Sequence, residues 1–121
     1  MEPLNVVLYQ NDARTAQALA NSLTQHRTSV FQAQRREDIR PTITQHRAEV
    51  LVMDLETSGL SDVKRLHNEF PALSIVCTHR LADEELWAEA LNQGAADMCA
   101  PWNTEDVVQS VMRERAHRSA A

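Results

Sequence analysis

The chain has 121 residues, a formal net charge of −5, and 43% apolar and 24% charged side chains. This is the make-up of an ordinary globular protein with material for one hydrophobic core, and we expect residues 1–121 to form a single domain. The charge argues against a whole-surface attraction to nucleic acid. No apolar run approaches the ~20 residues of a membrane-crossing helix. Met1-Glu2-Pro3-Leu4 lacks the basic flank and apolar stretch of a secretory signal, so the expected location is the cytoplasm.

Taken in chain order, the apolar pattern alternates between strand-like runs and helical spacing. Val6-Val7-Leu8-Tyr9 is a short continuous run, as in a strand covered on both faces. Asn11 or Asp12 then caps a helix whose apolar face is Ala16, Leu19, Ala20 and Leu23. Residues 29–33 alternate and predict a second strand at a sheet edge. A second helix runs from Glu37 to His46, starting near Asp38, because Pro41 is tolerated only in its first turn.

Val50-Leu51-Val52-Met53 is the strongest strand signal, and Asp54 ends it. Gly59 marks a loop, and Leu60, Val63, Leu66 and Phe70 share one side of a third helix that Pro71 stops. Leu73 to Thr78 forms a fourth strand. The fourth helix spans about Asp83 to Gln93, with Leu86, Ala90 and Leu91 inward and Gly94 as its C-terminal cap. Asp97-Met98-Cys99 is a short fifth strand. The last helix starts at Asn103 or Thr104 and buries Val107, Val108, Val111 and Met112. Five strands alternating with five helices predict an α/β three-layer sandwich. Right-handed crossovers favour the flavodoxin-like (βα)5 sheet of order 2-1-3-4-5.

Four features then stand in a telling order: Asp54 at the end of the third strand, Thr78 at the end of the fourth, Gly94-Ala95-Ala96-Asp97 leading into the fifth, and Pro101-Trp102 after it. Together they resemble the receiver domains of response regulators in bacterial two-component signalling, over essentially the whole chain. The resemblance implies Asp54 as the phospho-acceptor-like position and Thr78 as the hydroxyl that bonds a phosphoryl group.

The departures from that pattern carry the functional expectation. Receivers place carboxylates at the end of the first strand to hold Mg²⁺ through oxygen ligands; here those positions are Gln10 and Asn11. Asp12 lies one step further on and serves equally well as a helix cap. A neutral amide cannot supply the charge that draws the ion from water, and phosphoryl transfer relies on that ion. Receivers also carry a Lys before the proline after the fifth strand. Here Ala100 precedes Pro101, and Lys64, on the third helix, is the one lysine of the chain. Mg²⁺ binding is therefore expected to be weak or absent. The expected function is that of a pseudo-receiver: not an enzyme, and acting by protein–protein contact independently of phosphorylation. The alternatives are a response regulator still phosphorylated on Asp54 through a degenerate site, and a flavodoxin-like small-molecule-binding domain.

The remaining chemistry-bearing residues are weighed against plainer roles. Arg80 follows Thr78 and His79 and is a candidate ion-pair partner for Asp54. Cys77 and Cys99, each in an apolar run, are expected to be reduced and buried, at strand ends near enough to approach one another. The five histidines are scattered without zinc-site spacing, and Gly59 and Gly94 form no phosphate loop. Trp87, among Asp83, Glu84, Glu85 and Glu89, is either half-buried packing or an anchor for a partner. The expected partner surface, for another protein or a homodimer, is the face of the fourth helix, fifth strand and fifth helix, the face receivers commonly use. Nucleic acid is expected to be met only through an output domain outside this chain. Residues 113–121 are expected to be a basic helix end or the beginning of a linker.

Overall fold

The computed structural model describes residues 2–120. Strands β1 (Leu4–Tyr9), β2 (Thr28–Gln32), β3 (Val50–Asp54), β4 (Ser74–Thr78) and β5 (Asp97–Cys99) form one sheet in the order β2-β1-β3-β4-β5. Every pairing is parallel. The helices are α1 (Ala13–Thr24), α2 (Ile39–His46), α3 (Leu55–Ser58), α4 (Leu60–Glu69), α5 (Glu84–Asn92) and α6 (Thr104–Ala120). This is the flavodoxin-like (βα)5 arrangement. Among the described residues, no helix is long and apolar enough to cross a membrane.

The strands are apolar throughout because both faces of the sheet are covered. Successive residues alternate between two cores. Val7, Leu51, Met53, Ile75 and Cys77 pack with Ile39 and Ile43 of α2, Val63 and Leu66 of α4 and Ala90 of α5. Val6, Leu8, Val50, Val52, Val76 and Cys99 pack with Leu19 and Leu23 of α1 and Val107 and Val111 of α6. The cysteines therefore point to opposite faces of the sheet. Their expected approach at neighbouring strand ends gives way to this alternation.

Three local features differ from the sequence reading. A single helical turn, α3, occupies the loop after β3, because the Asp54 side chain accepts a hydrogen bond from the Glu56 backbone N–H and so caps it. A 3-10 turn, Arg36–Asp38, precedes α2, which begins at Ile39. On α5 only Ala90 is fully buried; Leu86 is half-buried, and Leu91 is 39% exposed instead of facing inward. Leu86 and Ala90 are one turn apart and take the core-facing stripe, whereas Leu91 is a further 100° round the helix.

At the other end of the molecule, α6 is tied back by its basic residues. Arg115 donates to the carbonyls of His26 and Arg27, and Arg118 donates to those of Glu49 and Ala72. These cations satisfy loop carbonyls at the amino end of the sheet.

Gln93 closes α5, and Gly94 follows at φ +114°, where a residue without Cβ is favoured. A Cβ at this position would lie 2.5 Å from Cγ and 2.8 Å from Cβ of His67. Those atoms are at the base of the side chain and have little freedom to move aside. Gly94→Ala is expected to lower stability by about 1–3 kcal/mol, read as a lower denaturation midpoint at unchanged slope. Burial, with a smaller contribution from Cys99, pushes the Cys77 thiol up to about 12. Burial also raises Cys99, against the opposing hydrogen bond to Ser110. Because the thiolate is the reactive form, iodoacetamide at neutral pH is expected to leave both thiols unmodified in the folded chain and to alkylate both in denaturant.

Candidate functional site

The carboxyl ends of the strands open into a cleft of about 650 Å³ lined by Gln10, Asn11, Asp12, Thr15, Asp54, Glu56, Thr57, Arg80, Pro101 and Trp102. Ligands bind at this end of open α/β sheets because the strand-to-helix loops converge there. The register sets Asp54 opposite Thr78, and Thr78 opposite Cys99.

Asp54 is 9% exposed. One carboxylate oxygen accepts from the Glu56 N–H at 3.0 Å, and the other accepts from the Thr57 hydroxyl at 2.6 Å. The Asn11 N–H stands 3.4 Å from that second oxygen. These donors are neutral. The side chain is thus a strand-end cap, held by the same turn of helix that it initiates.

Gln10 and Thr78 are joined to each other. The Gln10 side chain leaves β1, reaches past the end of β3, and donates from Nε2 to the Thr78 hydroxyl at 2.9 Å. Its Oε1 is also within 3.3 Å of that hydroxyl. Gln10 is 9% exposed and Thr78 is fully buried. The hydroxyl lies beneath the cleft and does not line it.

The candidate ion pair between Arg80 and Asp54 does not form. Arg80 instead bonds Glu56, with its Nε 2.9 Å from one oxygen and its backbone N–H 3.1 Å from the other. The cause lies in α3: Asp54 is consumed by capping the turn, and the turn presents Glu56 to the loop after β4. Burial by itself would raise the Glu56 carboxyl. The hydrogen bonds and charge of Arg80, with the charge of His79, outweigh it and bring Glu56 below its ordinary value.

The residues at the position of the expected lysine stay out of the cleft. Cys99 turns towards α6, with its sulfur 3.4 Å from the Ser110 hydroxyl. Ala100 is half-buried beside the cleft, and Pro101 and Trp102 form its rim instead. Trp87 sits apart, on α5. Thr15, Glu56, Thr57 and Trp102 were not singled out as cleft residues by sequence reasoning. Thr15 and Thr57 follow Asp12 and Asp54 by three residues, the capping spacing through which both could have been found.

The fold's usual Mg²⁺ finds no fitting donor set here. Gln10 is turned into the Thr78 bond, and Asn11 is neutral. Asp12 caps α1, where the Thr15 hydroxyl at 2.7 Å and N–H at 2.9 Å hold its carboxyl below its ordinary value. Among the described residues, no three His, Cys, Asp or Glu side chains are grouped so as to hold a metal ion.

No protein-family model matches the chain, and no curated protein sequence matches it. Its fold is similar to that of a response regulator from Thermotoga maritima, with a TM-score of 0.84 at 18% identity over 94% of this chain and 98% of that one. An orphan response regulator of H. pylori gives a TM-score of 0.81 at 16% identity, over 92% and 95% of the two chains. An atypical orphan response regulator, described as having a phosphorylation-independent regulatory mechanism, gives 0.81 at 15% identity, over 92% and 94%. The chain has the receiver-domain fold.

The buried amide–hydroxyl bond makes a measurable difference to stability. Thr78→Val removes one partner and leaves the Gln10 amide buried and unpaired, so the variant is expected to lose about 1–3 kcal/mol. Adding Gln10→Leu should recover part of that loss. Urea denaturation of the two single variants and the double variant reads the coupling directly.

Proposed function

We propose that this chain is a receiver-like signalling domain, spanning residues 1–121, that acts by protein–protein contact and without an Mg²⁺-dependent phosphoryl switch on Asp54. The observation that carries this reading is the Gln10–Thr78 hydrogen bond. It joins the end of the first strand, where the fold's metal ligands belong, to the hydroxyl expected to receive a phosphoryl group. A phosphoryl group on Asp54 would compete with Gln10 Oε1 for the Thr78 hydroxyl proton.

The charges around Asp54 support the same reading. Its bonds go to an amide and a hydroxyl, and the nearby Arg80 is held by Glu56. The developing negative charge of phosphoryl transfer would meet, among the described residues of the cleft, no group of side chains placed to hold a divalent cation and no lysine. The structurally similar atypical orphan regulator, with its phosphorylation-independent mechanism, offers a precedent for a receiver fold used in this way.

In this reading the domain is not an enzyme, and it works in the cytoplasm of a bacterial-type signalling or gene-regulatory system. Contact is made through the face of α5, β5 and α6, to another protein or a second copy of the chain. Trp87 is its anchor, at 44% exposure. Nucleic acid is reached only through an output domain outside this chain.

Intact-mass spectrometry after incubation with acetyl phosphate and Mg²⁺, with Asp54→Asn as control, tests the proposal. The expected result is no added phosphoryl mass on either protein. A stoichiometric adduct that is lost in Asp54→Asn would overturn it and establish Gln10 and Asn11 as sufficient ligands.

A further inference from the structure

The exposed large hydrophobic side chains of the described residues are Leu81, Trp87, Leu91 and Trp102. All four fall within residues 81–112, a stretch that contains seven acids and no Lys, Arg or His. The coincidence is a property of one sector of the fold: the loop after β4, α5, β5 and the start of α6.

On α5 the two features interleave. Trp87 and Leu91 are one helical turn apart on one side of the helix, outside the core-facing stripe of Leu86 and Ala90. Asp83 and Glu84 precede Trp87 by four and three residues and so flank the same side. Leu81 extends the apolar surface into the loop after β4, at 73% exposure. Trp102, at 68% exposure, stands on the loop after the neighbouring β5.

Some acids of the chain hold a cation and others do not. Asp62, Asp97, Glu56 and Glu69 each hold an arginine of this chain. Among the described residues, Glu84, Glu85 and Glu89 have no cationic partner, while Asp83 caps α5 by accepting from the Leu86 N–H. An apolar stripe edged by uncompensated negative charge is complementary to an apolar stripe edged by positive charge.

A second copy of the chain supplies that charge poorly. Arg80 and Arg113 pair with carboxylates, and Arg115 and Arg118 are spent on loop carbonyls. Among the described residues, Arg14 on α1, Arg47 just after α2 and Lys64 on α4 show no such bond, and they form no basic segment.

From this we propose that the α5 surface, with Leu81, Trp87 and Leu91 as its apolar anchors and Asp83 and Glu84 as the acids beside them, docks a cationic amphipathic helix of a different protein. The proposal deepens the functional reading above, on which it rests, by stating the chemistry of the partner. The aromatic and aliphatic anchors carry affinity, and the acidic rim steers the approach and selects against anionic segments.

The test uses the full chain and two synthetic amphipathic helices of one pattern, one of leucine and lysine and one of leucine and glutamate. Amide shifts in heteronuclear NMR report where each binds. The leucine–lysine helix is expected to perturb residues 81–92 and Trp102, with affinity falling roughly tenfold or more between about 0.05 and 0.5 M salt. Glu84→Lys, and separately Trp87→Ala with Leu91→Ala, should each weaken binding roughly fivefold or more. These positions are exposed, and a dispersed amide spectrum verifies that each variant is folded.

Equal binding of the leucine–glutamate helix at these residues would overturn the cationic partner while leaving the proposed face intact. Perturbation only elsewhere, or none, would overturn both the partner chemistry and the face. The acetyl phosphate experiment judges phosphorylation independence separately from either outcome.

Discussion

Asp54 ends a strand in which every residue is buried, so its carboxylate must find hydrogen-bond donors within reach of the strand end or carry the cost of an unsatisfied buried charge. The donors it finds are the Glu56 N–H and the Thr57 hydroxyl, and accepting from them winds the chain into α3. That turn aims Glu56 at the loop after β4, where it captures Arg80 through both backbone and side chain. One capping interaction thus determines the shape of one cleft wall and keeps the nearest guanidinium off the acid. On the opposite wall, Gln10 spans the strand ends to Thr78 and closes the space beneath Asp54.

The two arrangements give Asp54, Gln10 and Thr78 hydrogen-bond partners within the chain. In a receiver that uses phosphoryl chemistry, the strand-end acids repel one another until a divalent ion is held between them. Here Gln10 and Asn11 bring no charge to the end of β1, while Asp12 and Asp54 accept from amide and hydroxyl donors.

Charge pairing is a feature of part of the surface. Arginines are matched to Asp62, Asp97, Glu56 and Glu69, or to loop carbonyls at the amino end of the sheet. Among the described residues, Glu84, Glu85 and Glu89 of α5 have no such partner, and Trp87 and Leu91 are exposed on the same helix. Exposed aromatic and aliphatic side chains beside unpaired acids are the feature on which the proposed docking surface rests.

The alternation of continuous apolar runs with helical spacing determined the five strands, their parallel direction and the flavodoxin-like order, because buried strands and amphipathic helices leave unambiguous periodicities. Asp54 and Thr78 at strand ends, Gln10 and Asn11 in place of acids, and Ala100 before Pro101 were equally legible, since they depend on residue type and chain order. Tertiary structure alone decided what these side chains bond to. The Gln10–Thr78 contact joins residues 68 positions apart, and the capture of Arg80 by Glu56 depends on a single helical turn that has no periodicity of its own. Cys77 and Cys99 illustrate the same limit. Their positions at neighbouring strand ends were readable, but pleat and register turned them to opposite cores. Periodicity is a local property written along the chain; hydrogen-bond choice is a competition among groups that only the folded sheet brings within 3 Å of one another.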